Sequence, residues 1–380
     1  MRIVAIDGYR LSCRSREPLG NSTGFFDLRE ALFLRLECES GAFGWGETWF
    51  APEVCGGLIR SGLAAAVLGA DALAPVALWR ALDGRRGFDR RGLTTMAISA
   101  IDIAAWDLAG RLRGEPVWRL AGGRVRDRVP AYASGPFLRQ GSDPYRGCEA
   151  EAESYLRQGF RAVKPRIGTT PARDGAAMRA LRRACGPDVA LLSDLNIGFT
   201  ADGAARIAEA IAPSSVLWLE EPVPPEDLAG FRALRPAPMA IAAGEHLIGL
   251  AAFQEYFAAG LLDIAQPDIA LTGGLTEAFR IAALAEACNV PLCPHVWGAC
   301  VNFHASLQLV ATLPARKGPA AFPWPVFEYD QTDNPLLDLA GRVPVAPDGT
   351  VAIPDAPGIG IELDPAAFAP HLVEHWRIAA

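Results

Sequence analysis

Histidine is scarce in this chain, with five in 380 residues, and its eight cysteines form no Cys-x-x-Cys pair. Scattered at 13, 38, 55, 148, 185, 288, 293 and 300, they give no zinc ribbon and no disulfide framework, and read as free, buried thiols of a cytosolic protein. A surplus of positive charge is also missing. The net charge is −7 with the signs interspersed, whereas a nucleic-acid groove needs a basic stripe. The one arginine-rich run, "DGRRGFDRRG" (83–92), contains acids and reads as a solvated loop or helix end. No apolar run is long enough to span a bilayer, and the opening "MRIVAIDGYRLSCRS" alternates like a strand without a signal-peptide core. Nucleic acid and membrane are thus excluded as partners, and a cytoplasmic location is expected. A GxGxxG fingerprint after the first strand is absent too, which counts against a doubly wound dinucleotide fold.

What is present is apolar bulk in a rhythm. The chain is 51% hydrophobic and 21% charged, enough for two domains or one large barrel with an accessory. Strand-like runs recur at 129–134, 160–167, 189–196, 215–222, 238–246, 262–269, 291–296 and 326–330, with Ala- and Leu-rich helical stretches between them. Eight strand–helix units predict an α/β fold of the (β/α)8 barrel type over residues 126–330. Asp143-Pro144 and Thr170-Pro171 each predict a helix start, a capping residue before a proline. Residues 1–125 alternate as antiparallel strands and then turn helical, an α+β module of its own. The turn-rich tail, 331–380, is expected to return and pack on that module.

The barrel strands end in polar residues where apolar ones would cost less. In order these are Lys164 and Arg166, Asp194 and Asn196, Glu220 and Glu221, Glu245, Asp268, His295, and Glu328. The leading residues are spaced 30, 26, 25, 23, 27 and 33 apart, one strand–helix unit each, so they converge on one mouth of the barrel. Any one alone reads as a helix cap or surface charge; a phased series does not. Gathered carboxylates repel, so positive charge is required among them. Asp194, Glu220 and Glu245 offer three hard oxygen ligands, which suit Mg²⁺, with Mn²⁺ also compatible; zinc would recruit imidazole or thiolate. By strand alternation Glu221 points away as a supporting carboxylate, and Asn196 shares the face of Asp194. Asp268 beside His295 fixes one tautomer and makes the other ring nitrogen more basic. His246 should face the other way and reads as structural.

In this order the residues resemble the enolase superfamily, specifically the mandelate racemase group. The likeness is carried by "AISAIDIAAWDLAGRLRGEPVWRLAGG" (97–123), then "VKPR", "SDLN", "WLEEP", "AGEH", "QPDIALTGG", "CPHVWG", "FEYD" and "PDAPGIGIEL". The resemblance implies a modified TIM barrel under an N-terminal α+β capping domain completed by the C-terminal tail. It also implies one Mg²⁺ on Asp194, Glu220 and Glu245, and abstraction of a proton α to a carboxylate by the Asp268–His295 dyad. Glu328 and Lys164 would stand near the carboxylate of a small-molecule substrate. Trp45, Glu47 and Trp49, with the loop "EPLGNSTGF" (17–25), would shape specificity from the cap. A homo-oligomer is implied as well.

Position 166 departs from the group. Its racemases carry lysine at both strand-two positions, and here the second is Arg166. A guanidinium keeps its proton and clamps a carboxylate, so two-base racemisation loses a partner unless Lys164 substitutes. One-base chemistry survives. The expectation is a Mg²⁺-dependent sugar-acid dehydratase (aldonate or aldarate) in which His295 takes the α-proton and a β-hydroxyl departs. The alternatives are a racemase or epimerase using the same proton abstraction, and a non-catalytic regulatory member of the superfamily.

Overall fold

The computed structural model describes residues 1–317 and 323–380. Three antiparallel strands, β1 (Ile3–Asn21), β2 (Gly24–Cys38) and β3 (Phe43–Thr48), form the cap sheet, and the C-terminal strand Leu372–Ala379 pairs with the free edge of β1. The expected loop 17–25 is the tip of the β1–β2 hairpin. Its turn is tied by Asn21 Oδ1, which accepts from the backbone N–H groups of Thr23 and Gly24. That tip touches the barrel: Leu138 N–H donates to the Gly20 carbonyl at 2.9 Å, and Ser22 Oγ to the Leu195 carbonyl at 2.5 Å.

Glycine decides how β3 is covered. A Cβ on Gly44 would stand 2.3 Å from Ala104 O, and one on Gly46 only 1.8 Å from Ala100 O. Bare backbone therefore lets the helix Leu93–Arg113 lie directly on this strand. Trp45 and Glu47, the alternate residues, project to the opposite face. The same helix joins cap to barrel through buried polar groups. Asp102 accepts from Thr276 N–H and Oγ1, Ser99 Oγ accepts from Gly273 N–H, and Trp106 Nε1 donates to Thr276 Oγ1.

The barrel strands run parallel in chain order: β4 (Arg128–Ser134), β5 (Ala162–Lys164), β6 (Ala190–Asp194), β7 (Val216–Glu220), β8 (Ala240–Ala243) and β9 (Ile264–Ala265). Strand Phe327–Asp330 lies on the other edge of β4. Several expected strands are shorter than predicted. The run 160–167 keeps its ladder only to Lys164, and 291–296 contributes single bridges, Ala265↔Leu292 and Asp268↔His295. Prolines 165, 222, 267 and 294 explain this, since each lacks a ladder donor next to a mouth residue. Inside the barrel Tyr132, Leu192, Trp218, Ile264 and Cys293 pack into a closed plug, so the polar strand ends sit above a filled core.

Two boundary expectations need correction. Thr170 does cap the helix Pro171–Cys185, accepting from Arg173 N–H. Asp143-Pro144 instead forms a turn; the helix there is Cys148–Arg157, held off by Gly147 at φ 78°. Nor does the whole tail join the cap. Thr350–Ala352 pairs with β4, burying Val351 against the barrel, whereas Phe368 packs on Tyr9, Phe33 and Trp45 and Leu372–Ala379 pairs with β1 in the cap sheet.

Candidate active site

At the mouth, two layers of polar side chains can be told apart. The lower layer is closed. Lys164 is 0% exposed, with Nζ 2.5 Å from Glu220 Oε1, 2.9 Å from Glu328 Oε1 and 3.6 Å from Asp194 Oδ2. Burial opposes its charge, but Glu220 and Glu328 outweigh burial and hold the ammonium well above the ordinary lysine range. Lys164 thus stands as a buried cation beneath the cavity, among Glu220, Glu328 and Asp194. Glu328 is likewise buried. It accepts from Ser134 Oγ at 2.7 Å and Val296 N–H at 2.9 Å, and burial's upward push is overcome by Lys164, His295 and Arg166, which keep it well below the usual carboxylate range. It links the seventh strand position to the first and eighth strands. It is not among the residues that line the cavity.

The upper layer lines a cavity of about 430 Å³ between barrel and cap. From the barrel it receives Arg166, Asn196, Glu245, His246 and His295. Arg166 Nε lies 3.3 Å from Asp194 Oδ2, and its guanidinium stacks 4.7 Å above the Phe137 ring. Asn196, at φ 41°, donates its backbone N–H to Asp194 Oδ1 at 2.8 Å. His295 Nδ1 is 2.8 Å from Asp268 Oδ2, and Nε2 is 3.1 Å from Glu245 Oε2. Burial lowers the imidazole's pKa, but Glu245, Glu328 and Asp268 raise it more, to about 10. Asp268 is fully buried. Its Oδ1 accepts from Ala270 N–H and Asn302 Nδ2, and its Oδ2 accepts from Trp49 Nε1 besides His295.

A second imidazole also lines the cavity. His246 is 42% exposed, and its Nδ1 is 2.8 Å from both carboxylate oxygens of Glu221. Glu221 takes φ 43°, a left-handed backbone, so simple alternation fails at this residue and brings it alongside His246. Alternation after Glu245 would turn His246 away from the mouth, whereas the structure places both side chains on the cavity.

From the cap, Trp49 and the hairpin-tip residues Asn21 and Thr23 line the cavity, whereas Trp45 and Glu47 do not. Trp45 is 0% exposed, packed against Tyr9, Phe43 and Phe368. Glu47 is fully buried and accepts from Ala299 N–H at 2.5 Å and Asn302 N–H at 2.9 Å, at the start of the helix Cys300–Thr312. Both corrections follow from depth along β3, because alternation gives the face and not the distance from the mouth. Arg29 and Trp297 also line the cavity, and the sequence pattern assigns a role to neither. Arg29 of β2 donates to the Trp297 carbonyl at 2.6 Å and to Thr332 Oγ1, pairs with Asp330 at 3.1 Å, and lies 3.7 Å over the Trp297 ring. No motif marks Arg29; Trp297 sits inside "CPHVWG".

The carboxylates also bear on a cation. Asp194 and Glu220 are register neighbours on β6 and β7, and Glu245 follows β8, so three oxygen donors stand at consecutive strand ends. Asp194 Oδ2 is buried without a hydrogen-bond partner. Burial and the neighbouring acids push both Glu220 and Glu245 upward. That donor set and that electrostatic demand fit a hard divalent cation. The side chains are nevertheless turned to separate partners: Glu220 to Lys164, Trp218 and Gln266, and Glu245 to His295. Among the described residues, the acids and imidazoles whose ligand atoms lie within 4.8 Å of one another are Glu221, Glu245 and His246, not the expected trio.

Two family models match the chain. The Mandelate racemase / muconate lactonizing enzyme, N-terminal domain, covers residues 9–122, and Enolase C-terminal domain-like covers 147–367. The chain belongs to the mandelate racemase and muconate lactonizing enzyme family of the enolase superfamily. It is 35% identical over 370 residues to the D-galactarolactone cycloisomerase of Agrobacterium fabrum, covering 96% of this chain and 97% of that one. The D-gluconate dehydratase of Thermoproteus tenax is 34% identical over 293 residues, 74% of this chain and 57% of the relative. A crystal structure of a racemase from Streptomyces coelicolor with bound magnesium superposes with a TM-score of 0.86 at 32% identity, covering 97% and 99% of the two chains. A cycloisomerase and a dehydratase thus stand among the relatives of this chain, which supports an enzyme here.

Proposed function

We propose that the protein catalyses β-elimination from an acid sugar, with His295 Nε2 taking the proton α to the carboxylate. The observation that carries this reading is the asymmetry of the cavity. Of the two carboxylate-backed imidazoles, His295 on Asp268 is buried and His246 on Glu221 is partly exposed, while at the second strand-two position stands Arg166, a guanidinium that keeps its proton.

The bond changes are few. His295, held protonated against burial by Glu245, Glu328 and Asp268, must first give up its Nε2 proton as Glu245 turns away from it; Nε2 then accepts the α-proton, and the C–H electron pair delocalises into the substrate's carboxylate. Arg166, whose charge is held by Asp194 and Glu328 against burial, offers N–H donors to the carboxylate as its charge grows. Return of the pair forms the Cα–Cβ double bond and expels the β-oxygen with the Cβ–O pair, and His295 Nε2 returns its proton to that oxygen. The enol then takes a proton at Cβ and becomes a 2-keto-3-deoxy acid. Asp194, Glu220 and Glu245 would hold Mg²⁺, or Mn²⁺ in its place, which when bound supplies positive charge for that carboxylate; the magnesium-bound structural neighbour supports the assignment.

The departing oxygen separates two forms of this reaction. A free hydroxyl leaves as water, a dehydration. A ring oxygen stays tethered, so the product is an isomer of the substrate. The nearly full-length match to a cycloisomerase favours adding the second form to the first.

The test is a library of aldonates, aldarates and their ring-closed lactones or ethers, incubated with Mg²⁺ in D₂O. A 2-keto product is expected, lighter by one water for dehydration or of equal mass for ring opening. His295→Asn should cost on the order of 10²–10⁴-fold. Exchange of the α-hydrogen without C–O cleavage would instead mean racemisation. A library untouched by the protein would mean a binding member of the family.

A further inference from the structure

The last turn of the cap strand raises a question the reaction leaves open. Trp49 follows β3 directly, and its indole Nε1 is 2.9 Å from Asp268 Oδ2, the same oxygen that faces His295 Nδ1 at 2.8 Å. The two rings stand with centroids 6.1 Å apart at 51°. With Ala270 N–H at 2.8 Å and Asn302 Nδ2 at 3.2 Å on Oδ1, the carboxylate receives four donors, the full complement of an ionised acid. Three of them come from the barrel. One comes from the cap.

The same end of β3 strengthens this arrangement. Glu47, on the same strand face two residues back, accepts the backbone N–H of Asn302, and Asn302 in turn donates its side-chain amide to Asp268. Cap and barrel therefore meet at the carboxylate behind the imidazole by a direct route and by one with a single intermediary.

We infer that Trp49 is a positioning residue: its indole N–H fixes the Asp268 carboxylate, and through it the orientation and tautomer of His295, so that the base pair is complete only with the cap seated. A buried carboxylate oxygen deprived of one of two donors reorients toward the remaining one or admits water. Either response turns the imidazole. The inference rests on the reading of Asp268 and His295 as the base pair.

The test uses the full chain with Trp49→Phe, which keeps an aromatic wall and deletes the donor, and Trp49→His, which returns an N–H. Trp49→Phe is expected to lower kcat about 10- to 100-fold, the range seen for outer partners of functional histidines, with KM within about twofold. The rate of α-deuterium uptake should fall in step, and Trp49→His should recover part of kcat. The downfield proton resonance of His295 Nδ1–H, assigned by its loss in His295→Asn, should shift in Trp49→Phe without substrate present. A rise in KM with kcat and that resonance unchanged would make Trp49 a wall residue and overturn the inference. Failure of the sugar-acid reading would look different: a shifted resonance in a protein whose wild type eliminates nothing.

Discussion

Lys164 shows how much a single buried charge can organise. Its ammonium is shared by Glu220 and Glu328 at 2.5 and 2.9 Å, and all three side chains are shut off from solvent. Removing one partner of a buried ion pair leaves the other charge without compensation, at a cost of about 3–5 kcal/mol. Lys164→Met should therefore lower the urea midpoint of unfolding at neutral pH by a corresponding amount. The pH dependence has a definite sign. Glu328 titrates below the ordinary 4.5 in the folded protein, because Lys164, His295 and Arg166 overcome burial. Its contribution is present above that pH and is lost progressively as pH falls further. The gap between wild type and Lys164→Met should then narrow as acid protonates the stranded carboxylates; a gap constant from about pH 5 to 2 would contradict this account. Sequence made these residues legible as a class, since a charge at an apolar strand's end needs a reason. It did not reveal depth. Lys164 and Arg166 share a face two residues apart, yet one is a buried counter-charge and the other lines the cavity.

At the scale of elements, the contact of β3 with the helix Leu93–Arg113 decides where the cap's functional residues stand. Gly46→Ala would place a methyl group 1.8 Å from a helix carbonyl, so backbone must move. A loss of about 1–3 kcal/mol or more is expected, together with reduced turnover, because Glu47 and Trp49 travel with β3. Gly57→Ala is the control. Nothing stands within 4 Å of its Cβ, and alanine in the helix Pro52–Leu58 should be neutral or stabilising by about 0.4–1 kcal/mol. Equal melting temperatures for the two variants would sink the close-approach argument. The same helix carries Asp102, which burial pushes up to about 7 ahead of the opposing bonds from Thr276. An acid with a raised pKa binds its proton more tightly when folded, so its contribution is full below pH about 4 and fades as pH rises through 7. Stability of the wild type should thus fall between pH 5 and 8, and Asp102→Asn should flatten that slope. The junction was readable from "AISAIDIAAWDLAG" because a helix apolar on nearly every side must be covered on every side. The strand ends were less so. Proline at 165, 267 and 294 halts the regular ladder while the chain continues toward the mouth, and periodicity cannot separate those two events.

For the molecule as a whole, cap and barrel enclose more acid than base around one mouth. Asp194, Glu220, Glu221, Glu245, Asp268 and Glu328 face two permanent cations, Lys164 and Arg166, and two imidazoles. Burial raises Glu220 first, and Asp194, Glu328 and Glu245 add to that rise against Lys164, so the folded state bears a repulsion that a divalent cation would relieve. A ligand that binds only the folded state stabilises it by RT ln(1 + [L]/Kd), about 2.7 kcal/mol at a hundred times Kd. Mg²⁺, or Mn²⁺ at lower concentration, should therefore raise the melting temperature in a saturable way. The shift should grow from pH 6 to 8, because raised carboxyls must lose protons to bind metal. Substitutions then locate the cation. Asp194→Asn and Glu220→Gln should each flatten the response if the consecutive strand ends hold it. If His246→Gln flattens it while Glu220→Gln leaves it intact, the compact group of Glu221, Glu245 and His246 is the seat instead. A melting curve indifferent to both metals across that pH range would remove the cation from the account, and the acid surplus would then have to be carried by the protonated imidazoles of His246 and His295.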